Sequence, residues 1–177
     1  MTRSARFLGA GVALLAGVLV MPSVGDDKPG VEAKAAFAKM KTLAGEWTAD
    51  VDGHGAGGGP QKVTYKVTGA GSVVMESQFP GTDHEMISMY HLDGDVLRMT
   101  HYCAAGNQPR VKYDPKASKP GELVFVFDGG TNLNPAKDMH IHGVTFVFRD
   151  AKHVDALWEG HANGKKMADT KFAMSRP

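Results

Sequence analysis

The stretch THYCAAGNQPR, residues 100–110, puts a histidine two positions before the chain's single cysteine. Further on, His140 and His142 repeat the same one-residue spacing. On an extended strand such spacing sends both side chains to one face. Neutral imidazole and thiolate are ligands for zinc and related ions, which take about four donors at roughly 2.0–2.3 Å. His101, His140 and His142, with Cys103 as a fourth donor, therefore form one candidate metal set. Two other readings stand beside it: contact with haem or another ligand, and polar core residues satisfied by backbone or water.

Nucleophilic catalysis has less behind it. A histidine that lowers the Cys103 pKa would activate the thiol, yet no third orienting residue or oxyanion turn can be named, and a lone thiol on an apolar face is ordinarily inert packing. Gly-x-Ser-x-Gly, His-Glu-x-x-His and phosphate-loop patterns are absent; the glycine run GHGAGGGP (53–60) lacks the Lys-Ser/Thr ending a phosphate loop needs. It reads as a loop at a barrel mouth, with His54 solvated. Asn107, Gln108 and Arg110 supply two amides and a cation just past a strand end. They serve either as turn chemistry or as the rim of a cavity that selects a polar ligand head, and residues 131–135 (TNLNP) carry the same two readings.

The elements that must hold these residues are mostly strands. Residues 31–43 (VEAKAAFAKMKTL), with Val31, Phe37, Met40 and Leu43 near helical spacing, predict one short amphipathic helix. Ten strands are expected after it, at 46–51, 62–68, 73–79, 85–91, 96–103, 110–113, 122–128, 140–149, 154–160 and 167–176. Asp93-Gly94 marks a tight hairpin, read here as setting His91 opposite Val96 and Met86 opposite His101. Alternation puts Leu97, Met99, His101 and Cys103 on one face, Met86, Ser88 and Tyr90 on the facing one, and His140, His142, Val144, Phe146 and Phe148 on another inward face. The candidate cavity wall is thus Tyr90, Met99, His101, Cys103, His140, His142, Phe146 and Trp158, with Asn107, Gln108 and Arg110 at its rim. Ten methionines suggest an adaptable interior.

The N-terminus is expected to be removed. Arg3 and Arg6 precede an apolar run over 7–21, and Ser23 and Gly25 suit a signal peptidase. The run is short beside the roughly 20 apolar residues of a membrane span, and no cysteine follows it for lipid attachment. The division is then 1–25 signal peptide, 26–30 linker and 31–177 a single domain, exported to the periplasm or secreted, with no stable membrane insertion after cleavage. The formal net charge of +1 leaves no electrostatic footprint for nucleic acid. With one cysteine there is no internal disulfide, so the core alone must hold the fold.

Closing a meander barrel makes its first and last strands neighbours, which brings Arg176 over Trp47 as a structural cation–π pair. Gly-x-Trp at 45–47 and this arginine resemble the calycin superfamily, the lipocalin-like barrels. LAGEW (43–47), YHLDGDVLRMTHYCAAGNQPR (90–110), Thr131-Asn132-Leu133 with Met139-His140, and the closing strand resemble more closely a family of exported bacterial lipocalin-like domains with no assigned activity. The resemblance implies an all-β, antiparallel, about ten-stranded calycin-like barrel with one short N-terminal helix and an enclosed apolar ligand. Nitrobindin-like relatives hold haem through a late histidine; His161 is the one late candidate here, and Asp155, Leu157 and Glu159 beside it do not mark an inward face. Three functions follow: a non-catalytic binder of a small, partly apolar ligand, a metal-binding protein or metal-dependent enzyme, and a filled-barrel interaction module.

Overall fold

The computed structural model describes Met1, residues 29–52 and residues 59–177, with side chains from residue 32 in the first of these segments. The expected signal peptide, the start of the linker and most of the glycine loop, His54 included, lie outside the described residues. Among them no helix is long and apolar enough to cross a membrane.

Helix α1 (Pro29–Lys41) begins two residues before the sequence expectation. Ala33, Ala36, Phe37 and Met40 are buried, an i, i+3, i+4, i+7 stripe that Leu43 extends. Strands β1 (Gly45–Asp52), β2 (Gln61–Thr68), β3 (Val73–Gln78), β4 (Met86–Asp93), β5 (Val96–Tyr102), β6 (Gln108–Tyr113), β7 (Glu122–Thr131), β8 (His140–Phe148) and β9 (His153–Ala162) follow as an antiparallel meander. The two-residue β10 (Lys165–Lys166) pairs with the end of β9, and β11 (Thr170–Ser175) pairs with both β9 and β1. Pairing of β8 with β9 closes the ring, so ten strands make a barrel without free edges. The expected last strand, 167–176, is shorter, Thr170–Ser175, and β10 precedes it: Lys166 faces His161 while Thr170 faces Trp158, one residue more on the returning side.

The β4–β5 hairpin corrects the sequence reading. Asp93 faces Val96 and Ser88 faces His101, so the turn consists of Gly94 and Asp95 alone. Gly94 takes φ 58°, the positive value that the first central position of a type II′ turn demands. The register differs by two residues from the one expected, and a shift of two leaves every side chain on its face.

The two ends of the barrel differ. At one end α1 packs against β4 and β5, Lys39 lies over the Phe148 ring at 4.5 Å, and Met40 and Leu43 are fully buried. Here too Arg176 Cζ stands 4.3 Å from the Trp47 ring centroid. The same guanidinium donates to the carbonyls of Thr42, Ala44 and Ala151, while Trp47 Nε1 donates to Leu43 O at 2.7 Å. This pair therefore ties the helix exit, the seam between first and last strands, and the β8–β9 turn together. At mid-barrel Tyr90, Phe125 and Phe146 meet edge to face at 5.9–6.1 Å and fill the interior. The other end, where β1, β3, β5, β7 and β9 finish, is open.

Candidate functional site

The open end holds a cavity of about 360 Å³, lined chiefly by Phe79, Met86, Cys103, Ile141, Trp158 and Phe172 around His101. Its size falls in the range of about 300–1,000 Å³ usual for small-molecule sites. Met139 and Met167, both well exposed, stand at its edge with His84 and Ala104. Gln78, His101, Trp158 and Phe172 are the buried lining residues and make its floor.

Beneath that floor runs a polar row set by strand register. Tyr65 on β2 faces Glu76 on β3, Glu76 faces Ser88 on β4, and Ser88 faces His101 on β5. All four point inward and all are buried. Glu76 Oε1 accepts from the Tyr65 hydroxyl at 2.9 Å and from Gln78 Nε2 at 3.0 Å, and Oε2 accepts from the Tyr90 hydroxyl at 2.6 Å. The Ser88 hydroxyl, opposite Glu76 on the next strand, also favours the carboxylate. Burial pushes the Glu76 pKa up, and these four partners oppose the rise by favouring the carboxylate. Burial beside Glu76 raises both tyrosines well above their ordinary values, so they remain donors.

His101 Nδ1 lies 2.9 Å from Ser88 Oγ. A Ser88 hydroxyl that donates to the carboxylate accepts from an Nδ1–H, which leaves Nε2 as a bare lone pair. Burial pushes the His101 pKa down to about 4, so the ring is neutral at ordinary pH. Nε2 has no hydrogen-bond partner, and neither has Nε1 of Trp158, whose ring centroid stands 5.2 Å from that of His101. A buried polar group without a partner costs about 1–3 kcal/mol. Two such groups on adjoining rings of a cavity floor are uncommon among buried polar groups, most of which are satisfied.

The other candidates are placed elsewhere. Tyr90, Met99 and Phe146 are fully buried in the barrel centre and do not line the cavity. His140 and His142 do not share the inward face of Val144 and Phe146, because a β-bulge between Ile141 and Gly143 breaks the alternation. Ile141 lines the cavity instead. Pairing of β7 with β8 runs no further than Val126–Gly143. Beyond it Phe127, His142 and His161 stack in sequence at 4.4 and 3.8 Å, with His140 Nε2 3.1 Å from His142 Nδ1. Burial, then the neighbouring His161 and His140, hold the His142 pKa below its ordinary value. His161 Nε2 meets Glu159 Oε1 at 2.9 Å.

The three residues of the candidate metal set are therefore not brought together: His101 contacts Ser88 and Trp158, and the other histidines contact one another. Among the described residues no group of three or more His, Cys, Asp or Glu is placed to hold a metal ion. Cys103 lines the cavity. Asn107 is buried and donates to Met139 O at 2.7 Å, and Gln108 Oε1 accepts from Thr131 and Asn132, so both amides brace the rim rather than face the cavity. Arg110 is exposed near Arg98 and Asp128, which pair with each other on the outer wall.

Sequence reasoning passed over Glu76, Tyr65 and Gln78. The available signal was VVMESQ, in which alternation sets Glu76 and Gln78 on the face of Val74, a charged residue in line with an apolar one. The closed antiparallel barrel is compatible with the calycin architecture, and its class is that of a meander barrel with one plugged end and one open one. The chain matches no family model and no curated protein.

Proposed function

We propose that this protein is an exported, lipocalin-like calycin barrel that holds a small, partly apolar ligand at its open mouth and performs no catalysis. The observation that carries the reading is the pair of unpartnered polar atoms, His101 Nε2 and Trp158 Nε1, on two buried residues that line a mainly apolar cavity of about 360 Å³. A ligand that satisfies both offsets a penalty the empty fold bears, and its apolar body gains roughly 25 cal/mol per Å² buried. The plugged half of the barrel argues for a shallow site, so the ligand lies across the mouth and not along the axis.

Titration with the apolar fluorescent probe N-phenyl-1-naphthylamine tests this. Binding should be saturable, quench Trp158 and slow alkylation of Cys103. Gly160 gives the matched control: it lines the cavity and a Cβ built there meets nothing closer than Met167 at 3.9 Å, so Gly160→Leu can be introduced without a clash at its first carbon and is expected to occupy the cavity. Loss of probe binding in Gly160→Leu with an unchanged unfolding temperature supports the reading. Equal binding by both proteins contradicts it.

A further inference from the structure

Which ligand head suits the floor follows from the hydrogen-bonding roles of the two unpartnered atoms. Indole Nε1–H is a donor and nothing else. His101 Nε2 is an acceptor in the tautomer that carries its ring proton on Nδ1 and donates it to Ser88 Oγ, 2.9 Å away, the tautomer that a Ser88 hydroxyl turned toward Glu76 selects. The complementary group therefore needs one proton to give and one lone pair to offer within a few ångströms. A carboxylate has no proton to give, and an ammonium has no lone pair.

Charge points the same way. Among the described residues no Lys, Arg, Asp or Glu lines the cavity. His101, neutral at ordinary pH, is no substitute for a cation. A charged head seated beside it would lose its hydration without a counter-ion, which is prohibitive in an apolar site. Glu76, the nearest buried carboxylate in the row, would add repulsion to an anion; its four donors are already spent on it.

Resting on the binding reading above, we infer that the cavity selects a neutral ligand headed by a hydroxyl group, which donates to His101 Nε2 and accepts from Trp158 Nε1. Ser88 acts as a positioning residue: it holds the imidazole in the tautomer that offers a lone pair to the cavity. The body of the ligand packs on Phe79, Ile141 and Phe172, and the exposed Met139 and Met167 flank its path of entry.

Three probes with one chain length decide this: 1-octanol, octanoate and octylamine, each measured at pH 7.5 by displacement of N-phenyl-1-naphthylamine. Octanol should compete at least about tenfold better than either charged analogue, since neither can bury its head uncharged at that pH without loss. Trp158→Phe keeps the ring and removes the donor, and should weaken octanol about three- to tenfold, the range of one neutral hydrogen bond, when each octanol affinity is expressed relative to the same protein's naphthylamine affinity. In ¹⁵N-histidine-labelled protein, His101 Nε2 should show as unprotonated in the free state and shift on adding octanol; Ser88→Ala should mix the tautomers and shrink the octanol preference.

Octanoate binding as tightly as octanol overturns the inference while leaving the binding reading intact. So does a protonated Nε2 in the free protein. If the naphthylamine itself fails to bind, the binding reading falls and this inference with it.

Discussion

Protonating His101 should cost the folded barrel stability. Its pKa is about 4 in the fold, against 6.5 for a free histidine, because the buried ring cannot accommodate the charge. The folded state thus resists a proton that the unfolded chain accepts. Above pH 6.5 neither state binds it and His101 contributes no pH dependence. Between pH 6.5 and about 4 the unfolded chain takes the proton first, and stability falls by up to about 1.4 kcal/mol per pH unit, levelling below pH 4 after a total loss of about 3 kcal/mol. Glu76 works in the opposite sense. Its pKa is raised by burial, so its stabilising contribution is smallest above the folded pKa and grows as pH falls toward the unfolded value near 4.5. The two offset each other in the parent protein, and a difference between variants separates them. Urea midpoints for the parent and His101→Gln, taken from pH 8 to pH 4.5, should show the parent's advantage over the variant shrinking by about 2–3 kcal/mol as the pH drops. Repeating the pair in a Glu76→Gln background removes the coupling. A gap that holds constant, or widens toward acid, refutes the placement of a neutral, desolvated imidazole at the cavity floor.

Other perturbations test other parts of the structure. Arg176→Ala removes the ring contact with Trp47 and the donors that hold the carbonyls of Thr42, Ala44 and Ala151, and should destabilise by about 2 kcal/mol or more; Arg176→Lys should recover less than half, since a point charge cannot fork to three carbonyls. Gly45→Ala forces a side chain onto φ 123° and should cost about 1–3 kcal/mol in a thermal or urea melt. Tyr90→Phe deletes the 2.6 Å bond to Glu76 Oε2 and should cost about 1–3 kcal/mol near neutral pH, the deficit easing in acid as Glu76 takes a proton of its own.

Much of the wall of this barrel is legible in the sequence because strand alternation carries face information that survives small errors. The Asp93-Gly94 reading misplaced the β4–β5 register by two residues, yet Ser88, Tyr90, Met99 and His101 still fell inward, since the period of a strand is two. A single inserted residue is a different matter. The bulge at His142 breaks the alternation on β8, so His140, though fully buried as expected, packs with His142 and His161 rather than in line with Val144 and Phe146. A hint was present in Gly143, where a Cβ would stand 2.9 Å from Phe125 O: a glycine inside a strand marks close approach or a bulge. How deep the cavity reaches could not be read from the chain at all. Tyr90, Met99 and Phe146 have the composition of a cavity wall, and only the three-dimensional meeting of the Tyr90, Phe125 and Phe146 rings shows that they fill the space. The Glu76 row was hidden for a related reason, as it is assembled across four strands with no spacing signature along the chain.

Native mass spectrometry of the protein purified gently from its own host tests the central claim most directly. The account expects a species heavier than the polypeptide by one small organic molecule, released on denaturation and missing from Gly160→Leu. A native mass equal to that of the bare chain, together with no saturable uptake of N-phenyl-1-naphthylamine, would contradict it.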